Sequence, residues 1–227
     1  MKIGEDMIKG AIFDLDGVIL DSMIVWEKAG EMFLNSLGIQ AESGVDKILF
    51  SMSMSEGAKY MKDRYCLDMN EDEIVEAVNH TIMDFYSHQV KLKEGVKQFL
   101  KGMHQYGIKI VAATSCDRMV FETALDRLNV MSYFQKIFTS TEIGVGKVKP
   151  DIYLAAAEYM GILPKDIWVF EDALYAIQTA KSAGFRTVGV YDASSIDDIE
   201  EIKRVSDIYL SNMEHFHVFL EKVMFFN

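Results

Sequence analysis

Four short stretches carry side chains suited to handling an anion: Asp14-Leu15-Asp16-Gly17, Thr114-Ser115, Gly144-Val145-Gly146-Lys147 and Glu171-Asp172. The first follows an apolar run, Ile8 to Phe13, that reads as a strand. At the two-residue strand period both aspartates point one way while Leu15 points the other, and Gly17 lets the chain turn sharply. Two carboxylates on one side can divide the labour between a nucleophile or metal ligand and a group that transfers protons. Alone, such a pair describes a solvated turn at a strand end equally well.

The other three stretches carry the same ambiguity when taken singly. Thr114-Ser115 end an apolar run (IKIVAAT) just ahead of a helical segment. Hydroxyls and free N–H groups there can cradle an anion, and a plain helix cap is the ordinary alternative. Lys147 sits on a glycine-bearing loop before Pro150-Asp151 and offers a mobile positive charge suited to phosphate, with Lys149 competing for the role. Glu171-Asp172 follow the run IWVF. With Asp14 they offer the oxygen ligands that magnesium prefers.

Placement decides between these readings. Apolar runs at Ile8 to Phe13, Ile108 to Thr114, Lys136 to Thr139, Ile167 to Phe170, Thr187 to Tyr191 and Asp207 to Leu210 alternate with helical segments such as Arg118 to Leu128, Tyr153 to Met160 and Leu174 to Ala183. Strand and helix in alternation predict an α/β fold, a Rossmann-like doubly wound parallel sheet covered on both faces. All four stretches then fall at the carboxyl ends of strands, where open α/β sheets bind ligands. A carboxylate nucleophile, a second carboxylate, hydroxyls, a lysine and a metal pair together make the inventory for phosphoryl transfer.

One connection breaks the alternation: roughly 90 residues separate the first two long strands, where a whole βαβ unit needs only about 30. Met23 to Leu37 reads as an amphipathic helix ended by Gly38, Glu56 to Arg64 as a second, and Asn70 with Glu73 as a capping box opening a third through about Tyr86. Residues 21–91 are therefore expected to form an inserted helical cap, with 1–20 and 92–227 as the α/β core.

Composition narrows the remaining possibilities. The chain has 227 residues, half of them apolar, and a net charge of −12, which argues against nucleic acid and anionic membranes as partners because both require a basic surface. Cys66 and Cys116 have no metal-site spacing, and no run approaches the roughly 18 apolar residues of a spanning helix. A cytoplasmic protein is expected. His215 and His217, in a C-terminal amphipathic segment, read as surface or packing residues. An EF-hand built on Asp14 and Asp16 is ruled out, since Val18-Ile19-Leu20 supply no ligands.

The segments DLDGVILDS, AATS, GKVKPDIYLAAAE and VFEDALYAIQTAKSAG resemble the four ordered motifs of the haloacid dehalogenase superfamily, in particular its β-phosphoglucomutase-like phosphatases. The resemblance covers nearly the whole core and includes the position of the cap. It implies that Asp14 is the nucleophile and Asp16 the general acid/base, with Thr114 and Ser115 binding the phosphoryl group and Lys147 neutralising it. Asp14, Asp16 (through its carbonyl), Glu171 and Asp172 would hold Mg2+. Val148 stands where proline is commoner, so Lys149 stays in competition, and Ala173 and Ala176 replace a frequent serine and glycine. The implied reaction is hydrolysis of a small phosphorylated metabolite, by resemblance a hexose or pentose phosphate, by a monomer. The alternative is a phosphosugar mutase. Trp26 occupies the place where those mutases carry a histidine, which favours hydrolysis and makes Trp26 a candidate substrate contact, with packing between cap helices as its other role.

Overall fold

The structure, a computed structural model, describes residues 8–49, 52–213 and 216–226; His215 lies outside them. Six strands form a parallel sheet: β1 (Gly10–Phe13), β4 (Lys109–Thr114), β5 (Ile137–Thr139), β6 (Ile167–Glu171), β7 (Arg186–Val190) and β8 (Ile208–Leu210). Two short strands, β2 (Leu20–Asp21) and β3 (Lys91–Leu92), pair antiparallel as a separate ribbon where the chain leaves the sheet and returns to it. The strand order is β5-β4-β1-β6-β7-β8, so β1 is central and the chain builds first on one side of it and then on the other. The expected doubly wound parallel sheet is present.

Alternation along each strand explains the double covering. Ala11 and Phe13 point into the larger apolar cluster, Ile12 into the smaller one on the opposite face. Phe13 stacks on Phe170 at 4.2 Å between ring centroids, and Phe99 and Phe219 close around Phe170. On the other face Ala156 and Ala157 of helix Asp151–Met160 let that helix lie close to the sheet. Each fully buried aromatic contributes about 1.5–3 kcal/mol relative to exposure.

Between β2 and β3 run the helices Met23–Trp26, Ala29–Ser36, Val45–Leu49, Met54–Tyr65 and Glu71–His88. The last two carry capping boxes, Ser53 with Glu56 and Asn70 with Glu73; the second was expected, and the first is an S-x-x-E motif that places the helix start ahead of the expected Glu56. The expected single helix over Met23 to Leu37 is broken at Glu27-Lys28. Lys28 has no side chain able to cap the following turn, and the Asp46 carboxylate supplies the cap from another helix, accepting the Gly30 and Glu31 N–H groups at 3.1 and 3.3 Å. Gly30 packs so tightly there that a Cβ would stand 2.6 Å from Leu49. Among the described residues, no helix is long and apolar enough to cross a membrane.

Candidate active site

Register brings the sequence stretches together. Phe13 pairs with Ala112 on β4 and with Phe170 on β6, so the carboxyl ends of the three strands lie at one edge, with β4 running two residues further, to Thr114. Asp14 continues the ladder, its N–H donating to the Phe170 carbonyl at 3.0 Å. The chain then turns through Gly17 at φ 76°, and a Cβ at that position would lie 2.2 Å from Asp172 Oδ2. Glycine is therefore required twice over, for the backbone angle and for the approach of Asp172.

At this edge Asp14, Glu171 and Asp172 hold ligand oxygens within 4.8 Å of one another, all three residues buried. Lys147 Nζ lies 2.7 Å from Asp14 Oδ1 and 2.8 Å from Glu171 Oε1. Asp14 Oδ1 also accepts the Leu15 N–H at 2.7 Å, so both contacts fall on Oδ1. Glu171 Oε1 further accepts from the Tyr153 hydroxyl at 2.7 Å. Lys149 is exposed and faces Glu56 of the cap, so Lys147 is the lysine that enters the site.

The cluster is electrostatically incomplete. Three carboxylates face one ammonium, and Glu171 Oε2 and Asp172 Oδ2 are buried with no hydrogen-bond partner. Burial, followed by the charge of Asp14, pushes the carboxyl groups of Glu171 and Asp172 above their ordinary range. Burial acts to lower the Lys147 ammonium, but Asp14 and Glu171 overcome it and hold the lysine charged. Orphaned oxygens with surplus negative charge form a donor set that fits a small, hard divalent cation.

The carboxylate of Asp16 lies outside this cluster, as expected of a residue whose metal contact was assigned to its backbone carbonyl. Its Oδ1 accepts hydrogen bonds from Ser22 Oγ at 2.6 Å and from the Tyr86 hydroxyl. Tyr86 in turn accepts from Trp26 Nε1 at 2.5 Å. Burial and then the neighbouring Asp14 charge raise the Asp16 carboxyl to about 6, against the lowering pull of its two hydrogen bonds and Lys147. That value suits a group that must both give and take a proton near neutrality. Trp26 thus both packs within the cap and lines the cleft.

Thr114 and Ser115 part company. Thr114 is fully buried, its Oγ1 accepting the Cys116 N–H at 3.0 Å and shaping the turn, and it does not line the cleft. Ser115 does line it, sharing a 3.3 Å hydrogen bond with Ser140 Oγ. Beyond them Asp117 joins the cap to the core, accepting from Asn79 Nδ2 at 2.8 Å and from Thr141 Oγ1 at 2.6 Å. The cap roofs a cleft, partly open to solvent, whose floor holds Asp14, Asp16, Ser115, Lys147 and Asp172.

Residues 11–190 match the model of the haloacid dehalogenase-like hydrolases. The chain belongs to that family. A phosphorylated carbohydrates phosphatase from Thermotoga maritima is 25% identical over 218 residues, covering 96% of this chain and 100% of the relative. The β-phosphoglucomutase of Bacillus subtilis is 30% identical over 197 residues, 81% of this chain and 83% of its own. In fold, the crystal structure of a β-phosphoglucomutase from Clostridium difficile superposes with a TM-score of 0.78 at 21% identity, covering 97% of this chain and 99% of that one. As a haloacid dehalogenase-like hydrolase the chain carries at its site four residues that sequence reasoning missed: Ser22, Tyr86, Tyr153 and Tyr175. Ser22 lies within the first motif and was readable in principle. Tyr86 and Tyr153 are apolar-face positions of helices, where a core role is the ordinary reading.

Proposed function

We propose that the chain is a magnesium-dependent phosphatase that hydrolyses a small phosphate monoester through an aspartyl phosphate on Asp14. The observation that carries this reading is the pairing of Lys147 Nζ with Asp14 Oδ1 at 2.7 Å beside two buried, unpartnered carboxylate oxygens. The named activity of the Thermotoga relative supports the same reading.

Asp14 Oδ2 is the oxygen free to attack phosphorus, because Lys147 and the Leu15 N–H occupy Oδ1. As that bond forms, the bond from phosphorus to the alcohol oxygen breaks, and protonated Asp16 gives its proton to the departing alkoxide. Asp16, now a carboxylate, takes a proton from water as that water attacks the aspartyl phosphate. Inorganic phosphate leaves, and Asp14 is restored as a carboxylate with Asp16 protonated. Lys147 stays charged and offsets the approach of two anions, and Ser115, just past the end of β4 and on the cleft wall, holds a phosphoryl oxygen, while buried Thr114 shapes the turn that presents it. Asp14, Asp172 and Glu171 would hold magnesium, which would withdraw charge from the phosphoryl oxygens. Transfer to water is favoured over return to a sugar because Trp26, whose Nε1 is occupied by Tyr86, offers the sugar no titratable group.

The test is phosphate release from a panel of phosphate monoesters with and without magnesium, for wild type and Asp14→Asn. Magnesium-dependent release lost in the variant is expected. Interconversion of phosphosugar isomers without release would replace the phosphatase by a mutase.

A further inference from the structure

Three tyrosines stand around the acidic groups of the site, and two of them are committed. Tyr86 donates to Asp16, and Tyr153 donates to Glu171 Oε1 at 2.7 Å. The third, Tyr175, is the second residue of the helix Leu174–Ser182, which begins directly after Asp172-Ala173. It lines the cleft together with Asp14, Lys147 and Asp172, and among the described residues its hydroxyl has no hydrogen-bond partner. The charges of the site nevertheless act on it. Burial pushes the phenol above its ordinary range, Lys147 works against that, and Glu171, Asp14 and Asp172 add to it. The hydroxyl is thus a neutral donor near the ammonium and the three carboxylates, bonded to none of them.

We infer that the Tyr175 hydroxyl binds substrate, donating to a non-bridging oxygen of the phosphoryl group as that group lies against Asp14; the inference rests on the phosphatase reading of the floor. Donors are what this floor lacks. Three carboxylates face one ammonium, and a phosphate brings further negative charge. Ser115 Oγ shares its hydrogen bond with Ser140, and Ala173, also on the cleft wall, has no donor to offer. A phenol adds a donor to this edge without adding a charge. A donor shielded from water is costly while unpaired, and a hydrogen bond to an ionised oxygen is about twice as strong as one between neutral groups, so Tyr175 gains most by meeting an anion. Its place on the core helix behind Asp172, beside the nucleophile and not on the cap, assigns it to the phosphoryl half that every substrate shares.

Tyr175→Phe removes the hydroxyl and keeps the ring. Because that hydroxyl has no partner in the protein, the melting temperature should not change; a lowered one would show the hydroxyl bonded within the fold and overturn the inference. On the magnesium-loaded chain kcat/KM should fall about tenfold for glucose 6-phosphate and by the same factor for ethyl phosphate, whose alcohol carries no further hydroxyl. A loss confined to glucose 6-phosphate overturns the inference by assigning Tyr175 to the alcohol half, and no loss on either ester overturns it outright. Should the wild type hydrolyse neither, the phosphatase reading is the part that fails. Calorimetric binding of inorganic phosphate to the two magnesium-loaded chains then decides the inference: about tenfold weaker binding to Tyr175→Phe sustains the contact, and equal binding, or none to the wild type, overturns it.

Discussion

The Tyr86 hydroxyl donates a hydrogen bond to the Asp16 carboxylate across 70 residues of sequence, from the cap helix Glu71–His88 to the loop after the central strand. The Asp16 carboxylate is thus tied to the cap: Trp26 donates to Tyr86, and Tyr86 donates to Asp16. Any movement that withdraws the helix also withdraws a partner from Asp16, so under the proposed mechanism cap position and proton transfer are linked.

That link has a titration signature. In the metal-free chain the Asp16 carboxyl should titrate at about 6, observable by carbon NMR. Burial is the main cause and the Asp14 charge the second, so Asp14→Asn should lower the midpoint, because removing a negative neighbour favours the carboxylate. Tyr86→Phe should raise it, because the lost hydrogen bond had favoured the carboxylate, and should slow turnover of a phosphate monoester by about tenfold. A midpoint near 4 in the wild type would contradict the assignment.

Lys147 and Lys149 should behave oppositely. Lys147→Met leaves Asp14 and Glu171 buried without their counter-charge, a loss on the order of 3–5 kcal/mol in the metal-free chain, and removes the charge that accompanies phosphate. Lys149→Ala, on an exposed side chain, should stay within about 0.5 kcal/mol of wild type. Urea denaturation and kcat/KM, measured on both variants, should agree; comparable losses from the two would show that Lys147 is not the unique partner.

Magnesium should stabilise the fold in a pH-dependent way. The carboxyl groups of Glu171 and Asp172 sit above their ordinary range in the folded chain. A raised carboxyl favours the protonated folded state, so stability is present at acid pH and lost as pH rises from the ordinary carboxylate range through the raised folded values. With chelator the melting temperature should therefore fall between pH 5 and pH 8, and magnesium at about 100 times its dissociation constant should restore about 2.7 kcal/mol at the upper pH. Asp172→Asn should raise metal-free stability at pH 8 and abolish the magnesium response. An undiminished response in that variant would place the cation elsewhere.

Much of the site was legible before any folding was considered, because its parts are short and local. Asp14-Leu15-Asp16-Gly17 and Glu171-Asp172 stand out by residue type, and the alternation of strands and helices puts them at one edge of a parallel sheet. The capping box of Asn70 and Glu73 likewise marks a helix start from spacing alone.

What sequence could not determine depends on groups that meet only after the chain has folded. The choice of Lys147 over Lys149, two residues apart, is made by the loop that buries one and exposes the other. The hydrogen-bond partners of the Asp16 carboxylate, Ser22 and Tyr86, meet it only in the folded chain, and the break in the first cap helix is set by Asp46 reaching in from another helix. Ser53 and Trp26 likewise look available in sequence and are engaged in space, by Glu56 and Tyr86. Motif chemistry is written in neighbouring residues, whereas hydrogen-bond satisfaction and charge balance are properties of a volume, and only the tertiary structure encloses one.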